Sequence, residues 1–137
     1  MIRGRIANLI NYYAAPRLIS TFNLSPWYPM PTFQDKYEKL IILLKKEFYP
    51  IIICLGINPC TDRIEKLLPG SRANIPKYNA IIRAVAKSQG CSFVETESWI
   101  DDTNIQILVP DGIHLSAEGH NILVTKIFEE VKRICPF

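Results

Sequence analysis

The chain has 137 residues, 48% of them hydrophobic and 21% charged, with 16 basic side chains against 13 acidic ones and a net charge of +3. That length favours a single domain, and that composition belongs to a globular protein with its own core, which excludes a low-complexity or disordered chain. Without a block of like charges, a dedicated nucleic-acid surface is excluded as well.

The opening stretch, MIRGRIANLINYYAAPR, is basic and lacks an apolar run long enough for a signal peptide; no stretch of about 18 apolar residues offers a membrane span. Four cysteines, Cys54, Cys60, Cys91 and Cys135, stand far apart with no Cys-x-x-Cys pair, which argues against zinc ribbons and thioredoxin-type motifs and for reduced thiols. The expectation is a cytoplasmic protein with no membrane association. Arg5 to Tyr13 (RIANLINYY) is the candidate for an early strand. An aromatic, proline-rich segment follows, STFNLSPWYPMP. Its Phe22, Trp27 and Tyr28, with Phe33 just beyond, either staple an irregular segment to the core or form a platform for a sugar ring.

Thr32 is the predicted N-cap of a first helix, with Asp35 placed as in a capping box. Tyr37, Leu40, Ile41, Leu44 and Phe48 then recur at helical spacing, and Tyr49–Pro50 should stop the helix, because proline disfavours helical backbone in the residue before it. Ile51 to Leu55 (IIICL) is apolar and largely β-branched, the pattern of a strand buried on both faces. A loop from Gly56 to Asn74 is expected next. Ile75, Tyr78, Ile82, Val85 and Ala86 mark one face of a second helix, which Gly90 ends as a left-handed cap. Cys91 to Glu95 is the second strand, and a loop from Thr96 to Leu115 leads to a last helix. Ser116 is its N-cap, and His120, Leu123, Val124, Ile127, Val131 and Ile134 form its apolar stripe.

Strands alternating with helices imply a parallel sheet with helical crossovers, hence a three-layer α/β/α sandwich of flavodoxin-like plan. The expected organisation is one domain over 1–137, with an irregular segment at 1–33 and an α/β core at 34–137. Two clear strands fall short of the roughly three that an independent sheet needs, so the fold reads as N-terminally incomplete. Both long loops leave the carboxyl ends of strands, where open α/β sheets bind ligands.

Both histidines lie in PDGIHLSAEGH, Pro110 to His120. The spacing of Asp111 and His114 lets a carboxylate meet an imidazole where the backbone turns before a helix. Such a bond fixes the tautomer and stabilises the imidazolium, which prepares a histidine to act as general base. The same spacing suits a plain turn at Asp111–Gly112 with Ser116 as cap, and the residues alone leave both readings standing. His120, on the apolar stripe, reads as a packed or hydrogen-bonded structural residue. A metal triad of Asp111, His114 and His120 is a further option.

DGIHLSAEGHNIL resembles the final block of the SGNH (GDSL-type) hydrolases, in which an Asp-x-x-His pair precedes the last helix. IIICLGINPCTDR and YNAIIRAVAKSQGCSFVE resemble that family's later strand and the helix and strand after it, so the resemblance spans Gln34 to Lys132. It implies a serine esterase or acyl (acetyl) hydrolase acting on a small ester or acylated carbohydrate, with neither metal nor organic cofactor. Asp111 is then the orienting acid and His114 the general base of a Ser-His-Asp triad, while Gly119 and His120 belong to the helix start. Asn58 in GIN is either the asparagine of the oxyanion hole or, by element counting, a substrate-side loop residue.

No Gly-Asp-Ser nucleophile block occurs in the sequence, and YYAAPRLIS resembles an oxyanion block with Ile10 and Tyr13 where a glycine and a polar donor are expected. Ser20, Ser25, Ser71, Ser88, Ser92, Ser98 and Ser116 have plainer readings as loop, helix or cap residues. Triad members act as a unit, so this chain by itself is expected to be inactive, its nucleophile lost or supplied by a companion chain encoded upstream. The rival expectation is a non-catalytic binding module that forms a homo-oligomer through an exposed sheet edge.

Overall fold

The computed structural model describes residues 17, 19, 21, 27–48, 51–99 and 107–136. The bounded elements among them are α1 (Met30–Phe48), β1 (Ile53–Leu55), α2 (Asp62–Leu67), α3 (Ser71–Ser88), β2 (Ser92–Val94), a short 3-10 helix (Glu97–Trp99) and α4 (Ala117–Ile134). The fold is mixed α/β: β1 pairs with β2 in parallel, with Ile53 opposite Ser92, Cys54 opposite Phe93 and Leu55 opposite Val94. The strand candidate Arg5 to Tyr13, the Tyr49–Pro50 stop, and Phe22, Ser20 and Ser25 lie outside the described residues.

Registered partners in a parallel pair project to the same face, which puts Cys54 and Phe93 together. Ile41 of α1 and Ile82, Val85 and Ala86 of α3 meet Cys54 there in one buried cluster, flanked by Phe33, Tyr37, Ile52 and Phe93. The whole predicted face of the second helix, Ile75, Tyr78, Ile82, Val85 and Ala86, is buried. Each aliphatic side chain fully buried there contributes about 1.5–3 kcal/mol. Gly90 ends the helix at φ 62°, as expected.

Three helix and strand expectations need correction. α1 starts at Met30, so Thr32 sits inside its first turn instead of capping it. Pro31 suits that turn because its missing N–H would have had no helical partner, and the Phe33 N–H reaches the Pro29 carbonyl at 2.9 Å. Of the predicted α1 stripe, Ile41 is buried and Tyr37 and Leu44 are half-buried, whereas Leu40 is exposed and Phe48 is 73% exposed. β1 is not buried on both faces either: Cys54 is covered and Leu55 is open, since α4 packs chiefly against β2.

The first long connection is not a bare loop. It contains α2, whose N-cap Thr61 accepts the Ile64 N–H at 3.2 Å, and α3 begins at Ser71, earlier than the proline in its sequence suggests. Gly70 at the N-cap has no side chain to offer. The Glu65 carboxylate takes that place, accepting the N–H of Arg72 at 2.7 Å and of Gly70 at 2.8 Å, and these donors hold its pKa below the usual carboxylate range. A carboxylate at a helix N-terminus also complements the helix dipole.

Candidate active site

The turn before α4 is built by its own backbone. Leu108 pairs with Leu115 in an isolated antiparallel bridge, the Val109 N–H donates to the His114 carbonyl at 2.9 Å, and the Gly112 N–H donates to the Val109 carbonyl at 2.9 Å. Gly112 closes the loop at φ 76°, a left-handed backbone that costs a residue with a Cβ about 1–2 kcal/mol.

Inside this loop Asp111 has two tasks. Its Oδ1 accepts the N–H of Ile113 at 2.8 Å and of His114 at 3.0 Å, which shapes the turn, while its Oδ2 meets Nδ1 of the His114 ring at 2.6 Å. The turn and the Asp111–His114 hydrogen bond are therefore one arrangement. The ring hydrogen bond from His114, then the two N–H donors, hold the Asp111 carboxyl down at about 2. With Nδ1 engaged, Nε2 is the ring nitrogen left to exchange a proton with a ligand, and the His114 side chain is 75% exposed.

The segment leading from β1 into α2 grips this loop. Asn58 Nδ2 donates to the Ile113 carbonyl at 3.2 Å, Thr61 Oγ1 to the Gly112 carbonyl at 3.3 Å, and an Arg63 guanidinium nitrogen to the Pro110 carbonyl at 3.0 Å. Asn58 is thus brought to the Asp111–His114 turn, holding its backbone. Thr61 and Arg63 were not legible as partners of that turn, because their contacts span 51 and 47 residues of sequence. Asn79 is the other residue missed. It stands among the apolar positions of α3 at helical spacing, and a lone amide on a buried face was the available signal.

His120 is exposed and not packed on the apolar stripe, but it is hydrogen-bonded as the other alternative had it, its Nδ1 donating to the Ser116 carbonyl at 2.8 Å. Ser116 caps α4 as predicted, accepting the Gly119 N–H at 3.1 Å. Gly119 is buried where the backbone passes closest, since a Cβ there would stand 2.3 Å from the Ile107 carbonyl oxygen. Among the described residues no group of three or more His, Cys, Asp or Glu side chains could hold a metal ion, so Asp111, His114 and His120 do not form the triad considered from sequence.

The described aromatics act as a staple. Tyr78 of α3 lies 5.3 Å from Trp27 and 4.9 Å from Phe33 between ring centroids, and its hydroxyl donates to the Tyr28 carbonyl. The first and last residues of α3 turn their hydroxyls to nearby backbone: Ser71 donates to the carbonyl of Leu68, the C-cap of α2, at 2.6 Å and Ser88 to the Val85 carbonyl at 3.0 Å.

Comparison with curated proteins gives no significant match. The family model of GDSL-like lipases and acylhydrolases, however, matches residues 18–122. That span runs from before α1 into the first turns of α4 and includes the whole Asp111–His114 loop, and by it the chain belongs to the GDSL-like lipase/acylhydrolase family.

Proposed function

We propose that this chain carries the acid–base part of a serine-esterase site acting on a small ester or acylated carbohydrate. Asp111 is the orienting acid and His114 the general base. Asp111 holds the neutral imidazole with its proton on Nδ1, Nε2 takes the proton of the attacking hydroxyl, and the anionic carboxylate stabilises the imidazolium that results. A carboxyl held at about 2 is ionised throughout the neutral range, as this role requires. The 2.6 Å contact between Asp111 and His114, in a loop pinned by the segment leading from β1 into α2, is the observation that carries the reading.

The finer fold we infer is the three-layer α/β/α sandwich. The parallel register, the packing of α1 and α3 on the Cys54 face and the contact of α4 with β2 support it. The nucleophile we place outside this chain. Ser71 and Ser88 donate to nearby carbonyls, Ser116 caps α4, and Ser92 meets Arg133 at 3.3 Å, which leaves these hydroxyls with structural tasks. This reading requires a Gly-Asp-Ser block from outside these residues. We place the protein in the cytoplasm, in keeping with four free thiols; no described helix is long and apolar enough to cross a membrane.

The test is incubation with p-nitrophenyl acetate and with a fluorophosphonate probe. The isolated chain should show neither turnover nor labelling, and a labelled serine overturns the assignment of the nucleophile elsewhere. Supplying a Gly-Asp-Ser segment should give turnover that His114→Ala abolishes.

A second reading, a homo-oligomeric or partner-binding module, rests on Leu43, Phe48, Ile51 and Leu55, apolar side chains that stand exposed on or near α1 and β1. Light scattering on the full chain decides it: a strict monomer over the micromolar range removes the homo-oligomer.

A further inference from the structure

The loop that carries the acid–base pair is also one wall of a recess. A cavity of about 210 Å³ is lined by Trp27, Ile57, Ile64, Leu68 and Ile75 together with Ile113, which sits in the turn between Asp111 and His114. No charged side chain lines it, and the amide of Asn58, its polar side chain, already donates to the Ile113 carbonyl. An ionic occupant would lose its hydration there without a charged partner. An apolar one would not.

Size limits the occupant further, because this volume falls below the roughly 300 Å³ at which pockets for drug-sized ligands begin. The walls are also tied to each other: the segment of Asn58, Thr61 and Arg63 is fastened to the carbonyls of Ile113, Gly112 and Pro110. A cavity held this way needs little ordering when it is filled.

We propose that this recess is an acyl subsite for a short unbranched chain, from butanoyl to hexanoyl, with Leu68 at its rim setting the length. The assignment of the occupant as an acyl group rests on the hydrolase reading above; the recess and its preference for a short apolar chain do not. Leu68 is 40% exposed, which places it at the opening instead of in the core and makes it replaceable without emptying buried volume.

Binding can be read without turnover, using neutral amides as probes on the full chain with labelled isoleucine methyl groups. Acetamide, butanamide, hexanamide and octanamide are titrated in turn by NMR. The expected result is saturable shifts at Ile64, Ile75 and Ile113, with affinity rising about fourfold per added methylene up to hexanamide and level beyond it. Leu68→Trp should remove these shifts while the rest of the spectrum stays native, and Leu68→Phe, a milder filling, should weaken hexanamide more than butanamide. Absent shifts, equal affinity for acetamide and hexanamide, or unchanged binding in the Phe variant each overturn the subsite. Chain-length-dependent binding in a protein whose reconstituted form hydrolyses no ester counts against the hydrolase reading alone, and turnover without binding counts against the subsite alone.

Discussion

Asn79, 1% exposed on α3, holds both backbone groups of Ile57: its Oδ1 accepts the Ile57 N–H at 2.7 Å and its Nδ2 donates to the Ile57 carbonyl at 3.0 Å. The same amide donates to Glu97 at 2.7 Å, and Thr96 Oγ1 adds a bond to the Ile57 carbonyl at 2.8 Å. The last ladder bond runs from the Gly56 N–H to the Val94 carbonyl at 3.1 Å. Beyond it one side chain takes over from the sheet, and the segment carrying Asn58, Thr61 and, in the first turn of α2, Arg63 departs from a fixed point.

Asn79→Leu roughly keeps the volume and deletes the three bonds of the amide, while the Thr96 bond to the Ile57 carbonyl stays. The Ile57 N–H is then the stranded group, since its carbonyl keeps Thr96 Oγ1, and the loss should be about 2 kcal/mol, within the roughly 1–3 kcal/mol of an unpaired backbone group. Urea denaturation measures it; a loss below about 1 kcal/mol would mean that Ile57 finds water instead.

Asp111 predicts a pH dependence whose sign is fixed. Its folded pKa is depressed from the ordinary 3.8 to about 2, so its contribution to stability is fully present above pH 4 and fades as the pH falls through about 2. Melting temperatures of the native chain and Asp111→Asn, compared at pH 6 and pH 2, should differ at the higher pH and converge at the lower. A difference that widens on acidification contradicts the assignment.

The tautomer of His114 is a separate observable. With the Asp111 carboxylate accepting at Nδ1, the neutral ring should carry its proton there, and Asp111→Ala should move it to Nε2. Nitrogen-15 shifts of the two ring nitrogens report this directly, and identical patterns in both proteins would show that the pair does not persist in solution.

Gly119→Ala sets two effects against each other. Alanine favours a helix over glycine by about 1 kcal/mol, but its Cβ would lie 2.3 Å from the Ile107 oxygen that accepts the Ser116 N–H. Backbone cannot yield as a flexible side chain can, so a net loss of about 2 kcal/mol is expected, within the range for overpacking. Ser116→Ala, which removes the cap alone, should cost about 1 kcal/mol.

Arg63→Ala tests the grip on the acid–base loop. Because Arg63 is exposed, global stability should change by no more than about 0.5 kcal/mol, whereas amide exchange at Ile113 and His114 should quicken as the loop opens locally. Unchanged exchange would assign the Arg63 contact to the surface alone.

The α3 face and the cap and C-terminal glycine of the helices were legible because each is a local code: helical spacing, an oxygen before a first turn, a residue tolerant of positive φ. The Asp111–His114 pair was legible for the same reason, as its members are close enough for the turn itself to join them. Expectations failed where the deciding partner lay outside the element itself. Glu65 caps α3 across a turn and moves its start ahead of Pro76, and Leu40, Phe48 and Leu55 are apolar by sequence yet exposed because no described element covers them.

The sequence by itself therefore determined which residues can form helices and strands, and which acid can meet which imidazole, since those choices depend on neighbours within a few positions. Only the tertiary structure decided that Asn58, Thr61 and Arg63 fasten that pair's loop, that Asn79 anchors the chain leaving β1, and that an apolar recess opens beside Ile113. Most of these contacts join residues some 50 positions apart, and hydrogen bonds over such distances form only after packing has brought the backbones together.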